Sequence, residues 1–200
     1  MKSITFISGW GIPEEWLAKR LRNRYPNHHI SVVAPIPNWE RKFDAEKNTQ
    51  LHAYSLGTLL VGCTPIPKTF SSIHFYAPIL NFISEKNCGS RVKAVELSKM
   101  IDAFEKNPLL TLNHFFRKCK LPIQLTQLPE SKENLLWGLQ VLRIQNVNPL
   151  AGVCYYCGKK DPLINHKILS LKIKDLRTIP QGNHNIETLW HSPDEIKPSI

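Results

Sequence analysis

The segment Leu51-His52-Ala53-Tyr54-Ser55-Leu56-Gly57-Thr58-Leu59-Leu60-Val61 constrains the fold of this chain more than any other stretch. A serine stands between two small residues, Ala53 and Gly57, where the residue pattern changes. Before it, Leu51 and Ala53 fit a buried strand; after it, Leu59, Leu60 and Cys63 fit a helix. A strand that enters a helix through so tight a turn leaves its central residue strained and its hydroxyl presented at the edge of a sheet. The flanking residues must be small because strand and helix cross there. The plain alternative is a serine acting as an ordinary helix N-cap.

The chemistry of such a serine sets what else the chain must carry. A hydroxyl is a weak nucleophile until a histidine takes its proton, and an acid must hold that imidazole in the right tautomer. In one known arrangement built around a strand-to-helix serine, the chain order is serine, acid, histidine. The run Gly152-Val153-Cys154-Tyr155-Tyr156-Cys157-Gly158 reads as a strand, and Asp161 follows it on a loop. A second short strand, Leu176–Ile179, leads into Pro180-Gln181-Gly182-Asn183-His184, which places His184 on a glycine-containing loop. Asp175 is a rival acid, but it precedes a strand rather than following one. His52, His74, His114 and His166 have no partner at metal-ligand spacing, and Cys63, Cys88 and Cys119 show no zinc pattern. No metal and no organic cofactor is expected.

Residues 1–7 read as a first strand, with Ile4, Phe6 and Ile7 apolar, and Ser8-Gly9-Trp10-Gly11 follows it. Glycines there let backbone approach a ligand, so the amide of Trp10 could pair with that of Leu56 around a developing oxyanion. Read alone, the same loop fits an ordinary strand-to-helix turn with a core tryptophan.

Taken together, these motifs resemble the α/β-hydrolases, most closely the biotin-synthesis carboxylesterases that demethylate pimeloyl-acyl-carrier-protein methyl ester. The family's first loop commonly reads H-G-W-G where this chain has Ser8-Gly9-Trp10-Gly11, and its elbow G-W-S-L-G-G corresponds to Ala53-Tyr54-Ser55-Leu56-Gly57-Thr58. Phe104, the run Leu112–Arg117 and the run Leu135–Leu142 share the cadence of that family's insertion segment. The resemblance implies a serine carboxylesterase with Ser55, Asp161 and His184 as catalytic residues and Trp10 and Leu56 at the oxyanion. It also implies an acyl-carrier protein as partner. Phe115, Phe116, Leu139 and Leu142 become candidates to line an acyl channel, although core packing explains them equally. Two other functions fit the same residues: a generalist carboxylesterase or thioesterase on short acyl groups, and a non-catalytic interaction protein on a trimmed hydrolase fold.

The expected organisation is a minimal parallel sheet flanked by helices. Residues 1–81 and 149–200 form the core, and 82–148 form a helical lid insertion. Strands are expected at 3–8, 30–34, 50–54 and 72–77, and helices at 13–24 and 56–63. Pro13 with Glu14 and Glu15 opens the first helix. Val92, Val95, Ile101 and Phe104 mark one helical stripe in the insertion, and Leu135, Leu136, Leu139 and Leu142 a clearer one. Against the full-length fold that the resemblance implies, the first two strands are expected to be missing, since no room for them precedes the strand that starts the chain. The segment between 34 and the elbow allows only a short helix or none, and little beyond Ile186–Trp190 remains for a closing helix.

A length of 200 residues suits one domain. No apolar run is long enough for a signal-peptide core or a membrane span, and the five cysteines lack a secreted framework. Cys154 and Cys157 lie three apart in a strand and so face opposite ways. A cytoplasmic monomer with reduced thiols is expected. The net charge of +10 favours acidic partners, and Arg117, Lys118, Lys120 and Arg143 are the candidates to hold a carrier protein. The charge is spread along the whole chain, however, so general solubility explains it about as well. No nucleic-acid-binding module is recognisable.

Overall fold

Short apolar strands separated by helices can pair in parallel only if each connection crosses over a sheet face, and the chain does this repeatedly. The computed structural model describes residues 2–42, 49–65 and 69–190. Among these, β1 (Lys2–Ile7), β2 (His28–Val33), β3 (Thr49–Tyr54), β4 (Ser72–Tyr76), β5 (Val153–Gly158) and β6 (Leu176–Ile179) form one parallel sheet of order β2-β1-β3-β4-β5-β6. The helices are α1 (Glu14–Arg24), α2 (Leu56–Gly62), α3 (Ala94–Lys106), α4 (Pro108–Lys118), α5 (Lys132–Ile144) and α6 (His166–Ser170). Four consecutive residues of β1, Ile4 to Ile7, are buried, as in a strand covered on both faces.

Strand order reverses between β1 and β3, since β2 lies on one side of β1 and every later strand on the other. Right-handed crossovers then put α1 and α2 on opposite faces. In open α/β sheets such a reversal, at the carboxyl ends of the adjoining strands, is where ligands are held. The serine loop and the Ser8–Gly11 loop both end there.

Helix α1 forms because Leu17, Ala18 and Leu21 share a buried face, with Glu14 and Glu15 at its positive end and Arg22 and Arg24 at its negative end. Pro13 has extended ψ of 129° and is the N-cap, so the helix starts one residue later than the sequence suggests. Glu14 accepts from the Ala34 amide at 2.9 Å and ties the helix to the end of β2. Strand β2 begins at His28, two residues before the expected start. In the connection to β3, the described residues hold one 3-10 turn, Trp39–Lys42; residues 43–48 lie outside the described residues. Toward the end of the chain a 3-10 turn spans Ile186–Thr188, and residues 191–200 lie outside the described residues.

Helices α3, α4 and α5 all fall in the connection between β4 and β5. In α3 the buried face is Leu97, Ile101 and Phe104, spaced by four and three. Val95 is 55% exposed because it sits two residues, or 200° of helix rotation, from Leu97. The stripe predicted for this segment is therefore corrected at Val95, and Val92 precedes the helix. Leu135, Leu139 and Leu142 are buried on α5, with Leu136 partly so. All five cysteines are free thiols. No helix among the described residues is long and apolar enough to cross a membrane.

Candidate active site at the sheet's carboxyl edge

Ser55 follows β3 directly and occupies the N-cap position of α2, but it does not behave as a cap. Its backbone has φ 52° and ψ −118°, and its side chain makes no capping bond. A non-glycine residue there costs of order 1–3 kcal/mol, so its surroundings must hold it. They do so through its main chain. The Ser55 amide donates to the Tyr76 carbonyl at 3.0 Å. The Ser55 carbonyl accepts from the Thr58 amide at 2.9 Å and from the Thr58 hydroxyl at 2.7 Å. The small residue expected at Gly57 has a direct cause: a Cβ would stand 2.4 Å from the Ile7 carbonyl oxygen, where α2 crosses the end of β1.

The Ser55 hydroxyl lies 3.1 Å from Nε2 of His184, and Nδ1 of His184 lies 2.8 Å from Oδ2 of Asp161. All three residues are at most 5% exposed. The other oxygen of Asp161 accepts from the amides of Leu163 and Ile164 at 2.8 and 3.0 Å. With every partner donating, the carboxylate acts only as an acceptor, so Nδ1 carries the imidazole proton and Nε2 faces the serine as an acceptor. The structure thus brings the three groups singled out in the sequence into one hydrogen-bonded chain. Asp175, the rival acid, lies exposed before β6.

The loops bearing Asp161 and His184 press against each other. A Cβ on Gly158 would lie 2.3 Å from the Gly182 carbonyl carbon, and the Lys160 amide donates to the Gly182 carbonyl at 2.9 Å. The His184 loop is braced internally by Thr188, whose hydroxyl accepts from the Asn183 amide and donates to the Asn185 carbonyl.

Trp10 is 2% exposed, at the end of β1. Its loop runs alongside the serine, since a Cβ on Gly9 would come 3.4 Å from the Ser55 Cβ. Leu56 opens α2, so its amide has no carbonyl a turn earlier to bond. The Trp10 indole N–H donates to the Leu135 carbonyl of α5 at 2.8 Å, and its ring meets Phe104 and Phe115 edge-on at 5.5 and 5.1 Å. Gly138 lets α5 sit directly on this loop: a Cβ there would meet Trp10 at 2.8 Å and Leu56 at 3.1 Å.

Of the four residues considered for an acyl channel, Phe115 lines a cavity of about 220 Å³ with Phe82, Val92, Met100, Lys118 and Leu163. Phe116, Leu139 and Leu142 are buried in the hydrophobic core and are not among its walls. Arg117, Lys118, Lys120 and Arg143 are all exposed, and none takes part in an ion pair among the described residues.

Two contacts were not readable from sequence. The Tyr54 hydroxyl donates to the His184 carbonyl at 2.5 Å. The Thr58 hydroxyl accepts from the Ile79 amide at 2.9 Å while donating to Ser55. Both residues flank the serine, but motif spacing carries no information on where their hydroxyls go.

No protein-family model matches the chain, and no curated protein matches it significantly. Solved structures do. BioG from Haemophilus influenzae superposes with a TM-score of 0.65 at 13% identity, over 95% of each chain. A hydrolase from Oleispira antarctica gives 0.61 at 12% identity, over 92% of this chain and 84% of the other. MGS-M2, an alpha/beta hydrolase from a Medee basin deep-sea metagenome library, gives 0.54 at 9% identity, over 92% and 82%. At such identities the likeness is one of fold, and the fold is that of the α/β-hydrolases.

Proposed function

We propose that this chain is a serine carboxylic ester hydrolase whose substrate is the methyl ester of a pimeloyl group carried on acyl-carrier protein. The observation that carries the reading is the unbroken chain of hydrogen bonds from the Ser55 hydroxyl through His184 to Asp161. His184 removes the serine proton as Ser55 attacks the ester carbonyl, while Asp161 holds the imidazole and stabilises its charged form. The amides of Trp10 and Leu56 receive the oxyanion, each such donor being worth roughly 10²–10³ in kcat. His184 then protonates the leaving alcohol. Water repeats the sequence on the acyl-enzyme, and no cofactor takes part.

The choice of substrate is supported by the resemblance of the elbow and first loop to the pimeloyl carboxylesterases, and by the fold likeness to BioG along both chains. In this reading the helices at residues 82–148 are a lid. Phe115 contributes to the acyl channel with Phe116, Leu139 and Leu142 packed behind it, and Arg117, Lys118, Lys120 and Arg143 engage the acidic carrier. The protein acts as a cytoplasmic monomer.

The test compares hydrolysis of a carrier-bound pimeloyl methyl ester with that of a short p-nitrophenyl ester. The proposal expects a clear preference for the carrier-bound ester, and Ser55→Ala should lower both rates by about 10⁴–10⁶-fold. Equal efficiency on the two esters points instead to a generalist esterase. A folded protein with no activated-ester burst and no fluorophosphonate labelling at Ser55 is not a hydrolase.

A further inference from the structure

We infer that Tyr54 is a positioning residue for His184, and that its phenol oxygen sets where the imidazole stands relative to the serine next to it in sequence. The inference rests on the serine-hydrolase reading of the site and adds a residue to it. Tyr54 is 1% exposed and ends β3, so its backbone is fixed by pairing with β4 on one side. Its hydroxyl donates to the His184 carbonyl at 2.5 Å, and that carbonyl accepts from no other donor among the described residues. The two rings lie 5.4 Å apart at 44°.

The phenol cannot easily move away. On its other side is Gly9, where a Cβ would lie 2.8 Å from two carbons of the Tyr54 ring. The ring is therefore wedged between the loop that leads to Trp10 and the loop that carries His184. Burial, with smaller contributions from Cys119 and Asp161, raises the phenol's pKa well above its ordinary value, so the hydroxyl stays a proton donor.

The consequence is a closed circuit. Ser55 and Tyr54 are neighbours on one strand end; the serine hydroxyl reaches His184 Nε2, and the tyrosine hydroxyl reaches the same residue's main chain. The internal bonds of the histidine loop hold its shape, and the Lys160 amide ties it at Gly182 to the loop after β5. The tyrosine hydroxyl ties it directly to the end of β3. Displacements near 1 Å at a reacting pair cost about 10²-fold in rate, so a bond that fixes this distance acts on kcat more than on substrate affinity.

Tyr54→Phe keeps the ring and removes the hydroxyl. The expected result is a kcat lower by about 10- to 100-fold with KM changed less than about threefold, and fluorophosphonate labelling of Ser55 slowed in parallel. A second readout is independent of turnover: the low-field proton resonance expected for the His184 Nδ1–H against Asp161 should be broader in the variant than in the parent protein. An active parent enzyme whose kcat and imidazole resonance survive Tyr54→Phe unchanged overturns the inference. So does a variant whose kcat and KM deteriorate together with its unfolding midpoint, because that is the mark of a purely structural bond. If the parent protein hydrolyses nothing yet its imidazole resonance depends on the Tyr54 hydroxyl, the positioning role stands and the hydrolase reading falls.

Discussion

Replacing Thr58 by valine tests how the strained turn is held. Valine has nearly the shape of threonine, so packing is conserved and only the hydroxyl is lost. That hydroxyl makes two bonds, one to the Ser55 carbonyl at 2.7 Å and one from the Ile79 amide at 2.9 Å, at a residue 1% exposed. The two losses are unequal. The Ser55 carbonyl keeps its bond from the Thr58 amide and loses about 0.5–1.5 kcal/mol, whereas the Ile79 amide is left buried with no acceptor at about 1–3 kcal/mol. Together they predict a destabilisation of about 2–4 kcal/mol, or roughly 4–16 °C in Tm for a chain of this size. Thr58→Ser retains the hydroxyl and gives up one methyl, near 1 kcal/mol. Urea unfolding followed by far-UV circular dichroism at pH 7.5 should order the proteins as parent, serine, valine. A valine variant as stable as the serine variant refutes the account, because the amide of Ile79 would then have found another partner.

Two further outcomes follow from the geometry. His52 and His74 stand 4.7 Å apart on the sheet face beneath α1, and burial lowers the pKa of each, that of His74 to about 4. Both are neutral in the fold, so their contribution is complete above the unfolded value near 6.5 and is lost as pH falls below it, for His74 down to about 4. For His74 the loss amounts to about 3 kcal/mol, and His74→Gln should flatten the fall in urea midpoint between pH 7 and 4.5; an unchanged slope would dismiss this origin. Gly138→Ala pits a helix-propensity gain of about 1 kcal/mol against an overpacking cost of about 1–3 kcal/mol at Trp10 and Leu56. The net cost of about 0–2 kcal/mol should lower Tm by at most about 8 °C while kcat drops at least about tenfold, and full activity would mean that α5 does not set this loop.

Much of the site was legible because its residues stand at strand ends, where glycine and proline mark the chain's exit. Ser55 at the change of periodicity, Asp161 after Gly158 and His184 after Gly182 carry that punctuation in the sequence itself. Gly57 was legible for the same reason, as a crossing that excludes a side chain. Contacts made across the sheet were not. The proximity of His52 to His74 follows from the register of β3 against β4, and single-strand patterns do not encode register. The bond from Tyr54 to the His184 carbonyl joins residues 130 positions apart, and nothing in the local pattern around Gly158 shows that it admits the backbone of Gly182. Val95 shows the limit within one helix: an apolar residue counts toward a face only when its angle agrees, and spacing from Leu97 puts it outside.

The pairing of β4 with β5 closes a span of chain from 77 to 152. Bringing those ends together costs about 4 kcal/mol in chain entropy, before any contact of β5 offsets it. Ser55 lies upstream of that span, and both His184 and Asp161, which it meets through one chain of hydrogen bonds, lie downstream. Neither half holds all three groups, so under the proposed mechanism ester turnover would register the zipping of the fifth strand onto the fourth. During refolding, enzymatic competence should return with this late closure and trail the recovery of helical signal.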